Sequence, residues 1–240
     1  MNIKELKDRA LFALSVPKCV CCGEKLDYGQ KAFCRKCSDE FDNFRMRNCS
    51  ICSKVLSSCT CSNSNLENHF VKRIIKCYRY LHLDDKHPST SLIYSLKKDN
   101  RRDVFDKCSD LLVEALSNSI DDLGNCVITN IPRRHSAIVE HGIDHSAILA
   151  KKTAIKIGAD YISVLKSNAK KEQKSLDRDQ RRKNADFSIT KESDLHGKTV
   201  LIIDDIITSG ASMSNAAILL RSMGARETIA VCLAIAYKDS

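Results

Sequence analysis

Hydrophobic positions downstream of residue 62 follow the periods expected of alternating strands and helices. Thr199–Ile203 is an uninterrupted apolar run, typical of a strand buried on both faces of a parallel sheet. Arg102–Ser117 instead places its apolar residues at helical spacing. The other predicted strands are Val71–Leu83, Cys126–Ile131, Tyr161–Leu165 and Thr228–Ala236, and the other predicted helices are His145–Ile157 and Ser214–Ser222. This alternation predicts an α/β domain with a mostly parallel sheet.

Cysteines are concentrated at the amino-terminal end of the chain. Of the 13 cysteines, nine precede residue 62, and the polar stretch Ser62–Asn68 follows them directly. This change in composition predicts a domain boundary. We expect a cysteine-rich head over residues 1–62, which begins with a helix, and an α/β domain over residues 63–240.

Eight of the cysteines in the head have the spacing of metal-binding turns. The first four are Cys19, Cys22, Cys34 and Cys37, and the second four are Cys49, Cys52, Cys59 and Cys61. A CxxC turn lets two thiolates hold one ion, and a second turn completes a tetrahedron. A short segment with little apolar content also needs the folding free energy that a metal supplies. We therefore predict a double zinc ribbon with two structural zinc ions and no open position for catalysis.

Charge and composition narrow the possible partners and the location. The net charge of +9 favours an anionic partner, either a phosphate-rich metabolite or nucleic acid. Glu5 and Asp8 make the amino terminus unlike a secretion signal, and no apolar run is long enough to span a bilayer. These features predict a cytoplasmic protein with reduced thiols. The cysteines outside the head are predicted to be buried, namely Cys77, Cys108, Cys126 and Cys232.

The segment Val200–Ser212 carries the clearest chemical signal. Its buried strand leads into Asp204 and Asp205, and a hydroxyl-rich turn, Thr208–Ser212, then opens a helix. Ligands of open α/β sheets bind beyond the carboxyl ends of the strands, and backbone N–H groups at a helix start attract anions. Two carboxylates can accept hydrogen bonds from a vicinal diol. The segment therefore predicts a site for a sugar that carries an anionic group.

This segment resembles the signature by which type I phosphoribosyltransferases bind phosphoribosyl diphosphate (PRPP). The signature has four apolar residues, two acids, two apolar residues and then T-[ST]-G-x-[ST], and every position matches. The resemblance implies that Asp204 and Asp205 act at the catalytic centre on the ribose hydroxyls, with Mg²⁺ accompanying PRPP. It also implies that the 5′-phosphate lies among Thr208, Ser209, Gly210, Ala211 and Ser212.

A cysteine-rich head followed by this loop is similar to the layout of the ComF family, and the similarity extends over nearly the whole chain. It implies a pyrophosphate loop at Pro132, Arg133 and Arg134. Further positions similar to the family pattern are Leu96, Lys97, Arg101, Arg102, Gly142, Gln173, Leu176, Arg181 and Asn184. The chain departs from the family's R-G-F-N-Q segment, where it has His141-Gly142-Ile143-Asp144-His145.

Two further groups of residues have candidate roles with phosphates. The stretch Lys166–Asn184 is rich in lysine and arginine and has no aromatic residue. It can stabilise a leaving pyrophosphate, bind nucleic-acid phosphates without base stacking, or be a solvated charged helix. His135, His141 and His145 are either phosphate or acid–base groups, or ordinary surface residues.

Three functions are consistent with these residues. The first is an enzyme that transfers the phosphoribosyl group of PRPP to a nitrogenous acceptor and releases pyrophosphate. The second is a competence-type DNA-uptake factor that binds single-stranded DNA. The third is a regulator that binds PRPP without turnover. The sequence contains no recognisable base-reading segment that would identify the acceptor.

Overall fold

Five parallel strands form the central sheet of the protein. The computed structural model describes residues 15–49, 52–59, 66, 70–80, 86–168 and 187–236. The strands of this sheet are β1 (Val71–Tyr80), β2 (Cys126–Asn130), β3 (Asp160–Tyr161), β6 (Thr199–Ile207) and β7 (Glu227–Ala236). Their spatial order is β1-β7-β6-β2-β3, and every neighbouring pair is parallel. A small antiparallel sheet pairs β4 (Leu165–Ser167) with β5 (Phe187–Ile189).

Helices cover both faces of the central sheet. They are α1 (Arg35–Arg45), α2 (Pro88–Lys98), α3 (Arg102–Ser117), α4 (His135–His141), α5 (His145–Ile157) and α6 (Ala211–Ser222). Alternate residues of β6 point to opposite sides: Leu201 and Ile203 join the apolar cluster of α3 and α5, whereas Val200 and Ile202 join that of α6. The expected fold class, an α/β domain with a parallel sheet and a cysteine-rich amino-terminal head, is confirmed.

Several predicted elements coincide closely with the observed ones, and one was wrong. Both α3 and α5 have the predicted bounds, and α5 ends at Gly158, whose φ of 71° is left-handed. The predicted strand Tyr161–Leu165 is two strands in different sheets, because β3 pairs with β2 whereas β4 pairs with β5. That second pairing joins residues distant in sequence, so the local pattern does not reveal it.

Helix α2 has local signals that the hydrophobic pattern alone does not capture. His87 precedes the helix and accepts a hydrogen bond from the backbone N–H of Ser89, and Pro88 occupies the first helical turn. Its serines and threonine are poor helix formers, but tertiary packing buries them. The helix ends at Lys98, next to the carboxyl edge of the sheet, and this position brings Lys97 close to Asp205.

The head packs directly on the α/β domain through an apolar cluster that continues across both. The Phe41 ring of α1 meets the Tyr78 ring of β1 edge-on, with centroids 5.2 Å apart. Arg45 extends the contact, since its guanidinium donates to both carboxylate oxygens of Glu114, at 2.8 and 3.2 Å, and to the backbone oxygen of Cys77. Cysteines predicted to be buried, Cys77, Cys108, Cys126 and Cys232, are indeed in the interior.

A membrane-spanning segment is absent from the part of the chain that the structure describes. None of the helices there combines the length and the apolar character that crossing a bilayer requires.

Candidate functional site

The candidate site lies where β6 extends beyond its neighbour β2. The last pair between these strands joins Asn130 to Ile203, and β6 then continues to Ile207 along β7 alone. Asp204 and Asp205 therefore belong to the strand itself and lie on its carboxyl-terminal extension. Because β2 has ended, this part of the β6 edge is left to side chains from the surrounding loops and helices.

Side chains from three different elements converge on the two aspartates. Ser146, in the first turn of α5, donates its hydroxyl to Asp204 Oδ1 at 2.7 Å. Arg133, in the connection between β2 and α4, donates from Nη2 to Asp205 Oδ2 at 3.3 Å. Lys97, near the end of α2, places its Nζ 3.4 Å from the same oxygen. Asp205 is 6% exposed, so its carboxylate is buried, whereas Lys97 approaches it from a side chain that is 40% exposed.

Asp144 fixes the position of the predicted pyrophosphate loop. Its Oδ1 accepts from the backbone N–H of Ala147 and caps α5, while its Oδ2 accepts from the backbone N–H of Arg133. One carboxylate thus joins the helix start to the loop that presents Arg133 to Asp205. Asp144 lies in the segment that departs from the ComF pattern, so the departing residue has a clear structural role here. Pro132 and Arg134 flank Arg133 in the same loop, and Arg134 is the residue that precedes α4.

The phosphate loop, Thr208–Ser212, connects β6 to α6. Thr208 and Ser209 are exposed, and the helix begins at Ala211. Ser209 Oγ accepts from the backbone N–H of Ala211, and the hydroxyl of Ser214 donates to the backbone oxygen of Gly210. The helix start therefore presents a cluster of hydroxyl and N–H groups at the same end of the sheet as the aspartates, which is an arrangement suited to an anion.

Gly210 is required by the backbone and by the packing behind the loop. Its φ is 76°, a left-handed conformation that other residues adopt only at a cost. A Cβ at this position would also lie 2.5 Å from Cγ of Leu66, a residue that is 1% exposed. The glycine thus allows Leu66, which follows the head in sequence, to pack under the phosphate loop.

Asp204 is protonated more readily than an ordinary aspartate. Burial, together with the neighbouring charge of Asp205, raises the pKa of Asp204 to about 8, although the Ser146 hydroxyl and the Asp205 N–H oppose the shift. The unfolded chain loses this proton near the usual pKa of 3.8, whereas the folded chain keeps it until about 8. The contribution of this group to stability therefore falls as pH rises between those values.

We expect Asp204→Asn to remove this pH dependence, since an amide mimics the neutral acid. The free energy of unfolding of the variant, relative to wild type, should increase between pH 4.5 and pH 8. Urea unfolding of both proteins across this range measures the difference, in which the contributions of groups remote from residue 204 cancel. A difference that stays constant with pH would contradict the assignment.

The three histidines are placed at different points of α4 and α5. His145 is 0% exposed, stacks on Phe105 with ring centroids 5.9 Å apart, and has its Nε2 3.2 Å from Asn100 Oδ1. It packs between α3 and α5, so the alternative of an ordinary surface residue was wrong for His145, and a phosphate or acid–base role stays a prediction. His135 is exposed at the start of α4, and His141 is the last residue of that helix.

Some predicted residues lie outside the part of the chain that the structure describes. Lys166 belongs to β4, but the other lysines and arginines of the basic stretch fall within residues 169–186, which the structure does not describe. Those positions include Gln173, Leu176, Arg181 and Asn184. The predicted eighth zinc ligand, Cys61, also lies outside the described residues.

Both cysteine groups of the head have the geometry of metal sites. The sulfur atoms of Cys19, Cys22, Cys34 and Cys37 lie within 4.8 Å of one another, as do those of Cys49, Cys52 and Cys59. Cys22 Sγ and Cys34 Sγ are 3.7 Å apart, close to the edge of about 3.8 Å that tetrahedral zinc–sulfur geometry requires. These thiol sets fit a zinc ion.

Backbone hydrogen bonds in the first group stabilise the thiolate of Cys19. Burial opposes ionisation of Cys19, but hydrogen bonds from the backbone at Cys22, Cys34 and Cys21 outweigh it and lower the pKa of Cys19 to about 7. A thiolate, rather than a thiol, is the metal ligand. The turn geometry therefore favours the thiolate at Cys19, whereas burial raises the pKa values of Cys34 and Cys37.

A comparison with known families gives a match over the carboxyl-terminal part of the chain. Residues 141–240 match the phosphoribosyl transferase domain. The matched range contains α5, β6, α6 and β7, and with them Ser146, both aspartates and the phosphate loop. No curated protein matches the chain.

Solved structures similar to part of the chain include two phosphoribosyltransferases and a phosphoribosylpyrophosphate synthetase. A purine phosphoribosyltransferase from Pyrococcus horikoshii has 19% identity and a TM-score of 0.37, with 55% of this chain and 72% of that chain covered. An adenine phosphoribosyltransferase from Saccharomyces cerevisiae has 18% identity and a TM-score of 0.39, with coverage of 58% and 72%. For the phosphoribosylpyrophosphate synthetase of Mycobacterium smegmatis the identity is 20%, the TM-score 0.34 and the coverage 53% and 33%, so the match spans about a third of that protein.

Proposed function

We propose that the protein binds PRPP at Asp204, Asp205 and Thr208–Ser212, and transfers its phosphoribosyl group to a nitrogenous acceptor with release of pyrophosphate. The observation that carries this proposal is the paired carboxylate on the β6 extension, followed directly by a hydroxyl-rich helix start. Both features fall within the range that matches the phosphoribosyl transferase domain. The site thus offers acceptors for a ribose diol next to donors for its phosphate.

In the proposed complex the aspartates orient the ribose and the loop holds its phosphate. Oxygens of both aspartates accept hydrogen bonds from the two ribose hydroxyls, and the bond to the ion-paired Asp205 is charge-assisted and therefore strong. The N–H groups at the start of α6, with the hydroxyls of Thr208, Ser209 and Ser212, donate to the 5′-phosphate. Carboxylate oxygens also suit the Mg²⁺ that accompanies PRPP, which neutralises charge on the pyrophosphate.

Arg133 and Lys97 favour transfer over binding without turnover. Both cations lie at Asp205, and they come from α2 and from the β2–α4 connection rather than from the phosphate loop. When the bond to pyrophosphate breaks, negative charge grows on the leaving group, and preorganised cations stabilise it. Holding the ribose on the strand limits its motion while the reacting carbon becomes cation-like.

The combination of a cysteine-rich head and the phosphate loop supports the proposal that the protein is of the ComF type. The DNA-uptake hypothesis rests mainly on the basic stretch, most of which lies outside the described residues, so single-stranded DNA binding stays a prediction. The PRPP-sensing regulator is the main alternative to an enzyme, and turnover distinguishes the two.

Calorimetry with PRPP and Mg²⁺, followed by a pyrophosphate-release assay with a panel of purine, pyrimidine and pyridine bases, tests the proposal. We expect saturable PRPP binding and release of pyrophosphate that depends on one of the acceptors. Ribose 5-phosphate without PRPP is the negative control. Binding without release across the panel would favour the regulator, and the absence of PRPP binding would contradict both.

We also propose that the cysteine groups each hold one structural zinc ion. Elemental analysis of protein purified without added metal should give about two zinc ions per chain. Cys34→Ala should retain about one, because it removes a ligand from the first group alone. Wild-type protein that is folded but free of zinc would contradict the proposal.

A further inference from the structure

The second cysteine group is buried, so the negative charge of its thiolates is energetically unfavourable there. Cys49 is 2% exposed and Cys59 is 4% exposed. Three or four thiolates around a divalent ion carry more negative charge than the ion balances. A buried net charge is unfavourable unless other groups compensate it.

Two cationic side chains from β1 are buried against this group. Arg79 is 7% exposed and donates from Nη1 to Cys49 Sγ at 3.4 Å. Lys76 is 6% exposed and donates from Nζ to the backbone oxygen of Cys59. Lysine and arginine are almost never buried to this extent without anionic or strongly polar partners. Both cations therefore reach the two buried cysteines among the described members of the group, Cys49 and Cys59.

The first cysteine group differs in how it can accommodate charge. Cys22 is exposed to solvent, and Cys19 accepts hydrogen bonds from backbone N–H groups of the head itself. At these two cysteines the first group thus relies on solvent and on the backbone of the head. The second group instead receives its positive charge from a strand of the central sheet.

We propose that Lys76 and Arg79 are positioning residues of the second metal centre, whose negative charge they compensate from outside the coordination shell. The centre is then composite: the head provides the thiolates and β1 provides the balancing cations. Metal loading and the seating of the head on β1 become one event. The inference concerns the metal centre alone and is independent of the PRPP proposal.

The test compares Arg79→Met and Lys76→Met with Arg73→Met in the full-length, zinc-loaded protein. Arg73 is a matched control because it lies on the same strand but is exposed. A colorimetric chelator, 4-(2-pyridylazo)resorcinol, measures the affinity and release of each zinc ion. In both test variants we expect one zinc ion to bind about 10- to 100-fold more weakly, as for other outer-shell substitutions. The other zinc ion, and both ions in Arg73→Met, should behave as in wild type.

Charge-conserving variants distinguish compensation of the thiolate charge from a role of these side chains in packing the head on β1. They also remain informative if the Met variants fail to fold. Arg79→Lys and Lys76→Arg should bind both zinc ions within a few-fold of wild type. Cobalt-substituted protein should show thiolate charge-transfer absorption from both centres in these variants, and from one centre in the Met variants. Unchanged zinc affinity in folded Met variants would overturn the proposal, and so would a second-site loss in Arg79→Lys and Lys76→Arg. Wild type with a single zinc ion would also overturn it.

Discussion

Asp205→Asn should weaken binding of PRPP with Mg²⁺ by about 10- to 100-fold, the loss expected when charge-assisted hydrogen bonds to a carboxylate are replaced by neutral ones. The substitution also leaves Arg133 and Lys97 facing an amide, because their partner Oδ2 loses its charge. Calorimetry of the purified variant measures the affinity. The change is nearly isosteric, so the loss reports on charge rather than on shape.

Asp110→Asn is the matched control for this experiment. Asp110 pairs with Lys31 at 2.7 Å and with Lys156 at 2.5 Å, and thus loses two ion pairs as Asp205 does. Asp110 belongs to α3 and is part of neither the aspartate pair nor the phosphate loop, so Asp110→Asn should bind PRPP as wild type does. Equal losses of affinity in the two variants would show a general effect on the fold and would contradict a ribose site at Asp205.

Gly210→Ala should destabilise the protein by about 2–4 kcal/mol and weaken PRPP binding as well. About 1–2 kcal/mol of this comes from placing a side chain in the left-handed region. The remainder comes from forcing the new methyl group against Leu66. Urea unfolding measures the stability, and calorimetry measures the affinity.

Gly158→Ala separates these two contributions. Gly158 also has a left-handed φ of 71°, but a Cβ there would meet no atom within 4 Å, so only the backbone cost applies. Substituting Leu66 by Ala should recover much of the difference, because it removes the atoms that a residue 210 methyl group would strike. If Gly210→Ala costs no more than Gly158→Ala, or if the Leu66→Ala background changes nothing, then the packing under the loop is not what requires glycine.

The fold was predictable from sequence for those segments whose own hydrophobic pattern shows which of their faces are buried. The apolar run of β6 and the periodic face of α3 predicted their elements, because burial on two faces or on one leaves a clear pattern. Helix α2 was missed because tertiary packing, rather than propensity, stabilises its buried serines. The β4–β5 pair was missed because strands that pair over a long separation have no joint local signal.

The site was predictable only in part, for a similar reason. A contiguous motif contains both aspartates and the phosphate loop, so the sequence alone pointed to them. Ser146 and Lys97 reach the aspartates from α5 and α2, and their sequence positions carry no sign of that convergence. Conversely, His145 lies beside these residues in sequence but faces the interior, because helical geometry directs it toward α3.

The ion pairs at Asp205 allow the proposed site to discriminate between PRPP and ribose 5-phosphate. Without ligand, this carboxylate already holds Arg133 and Lys97, so a ribose that binds there must compete with both. Ribose 5-phosphate has no second anionic group to receive the displaced cations, and it bears the full cost of separating them from Asp205. PRPP carries a pyrophosphate that can take them over, so the exchange conserves charge pairing. Selectivity for the activated sugar would then arise from this exchange of partners rather than from the size of the site.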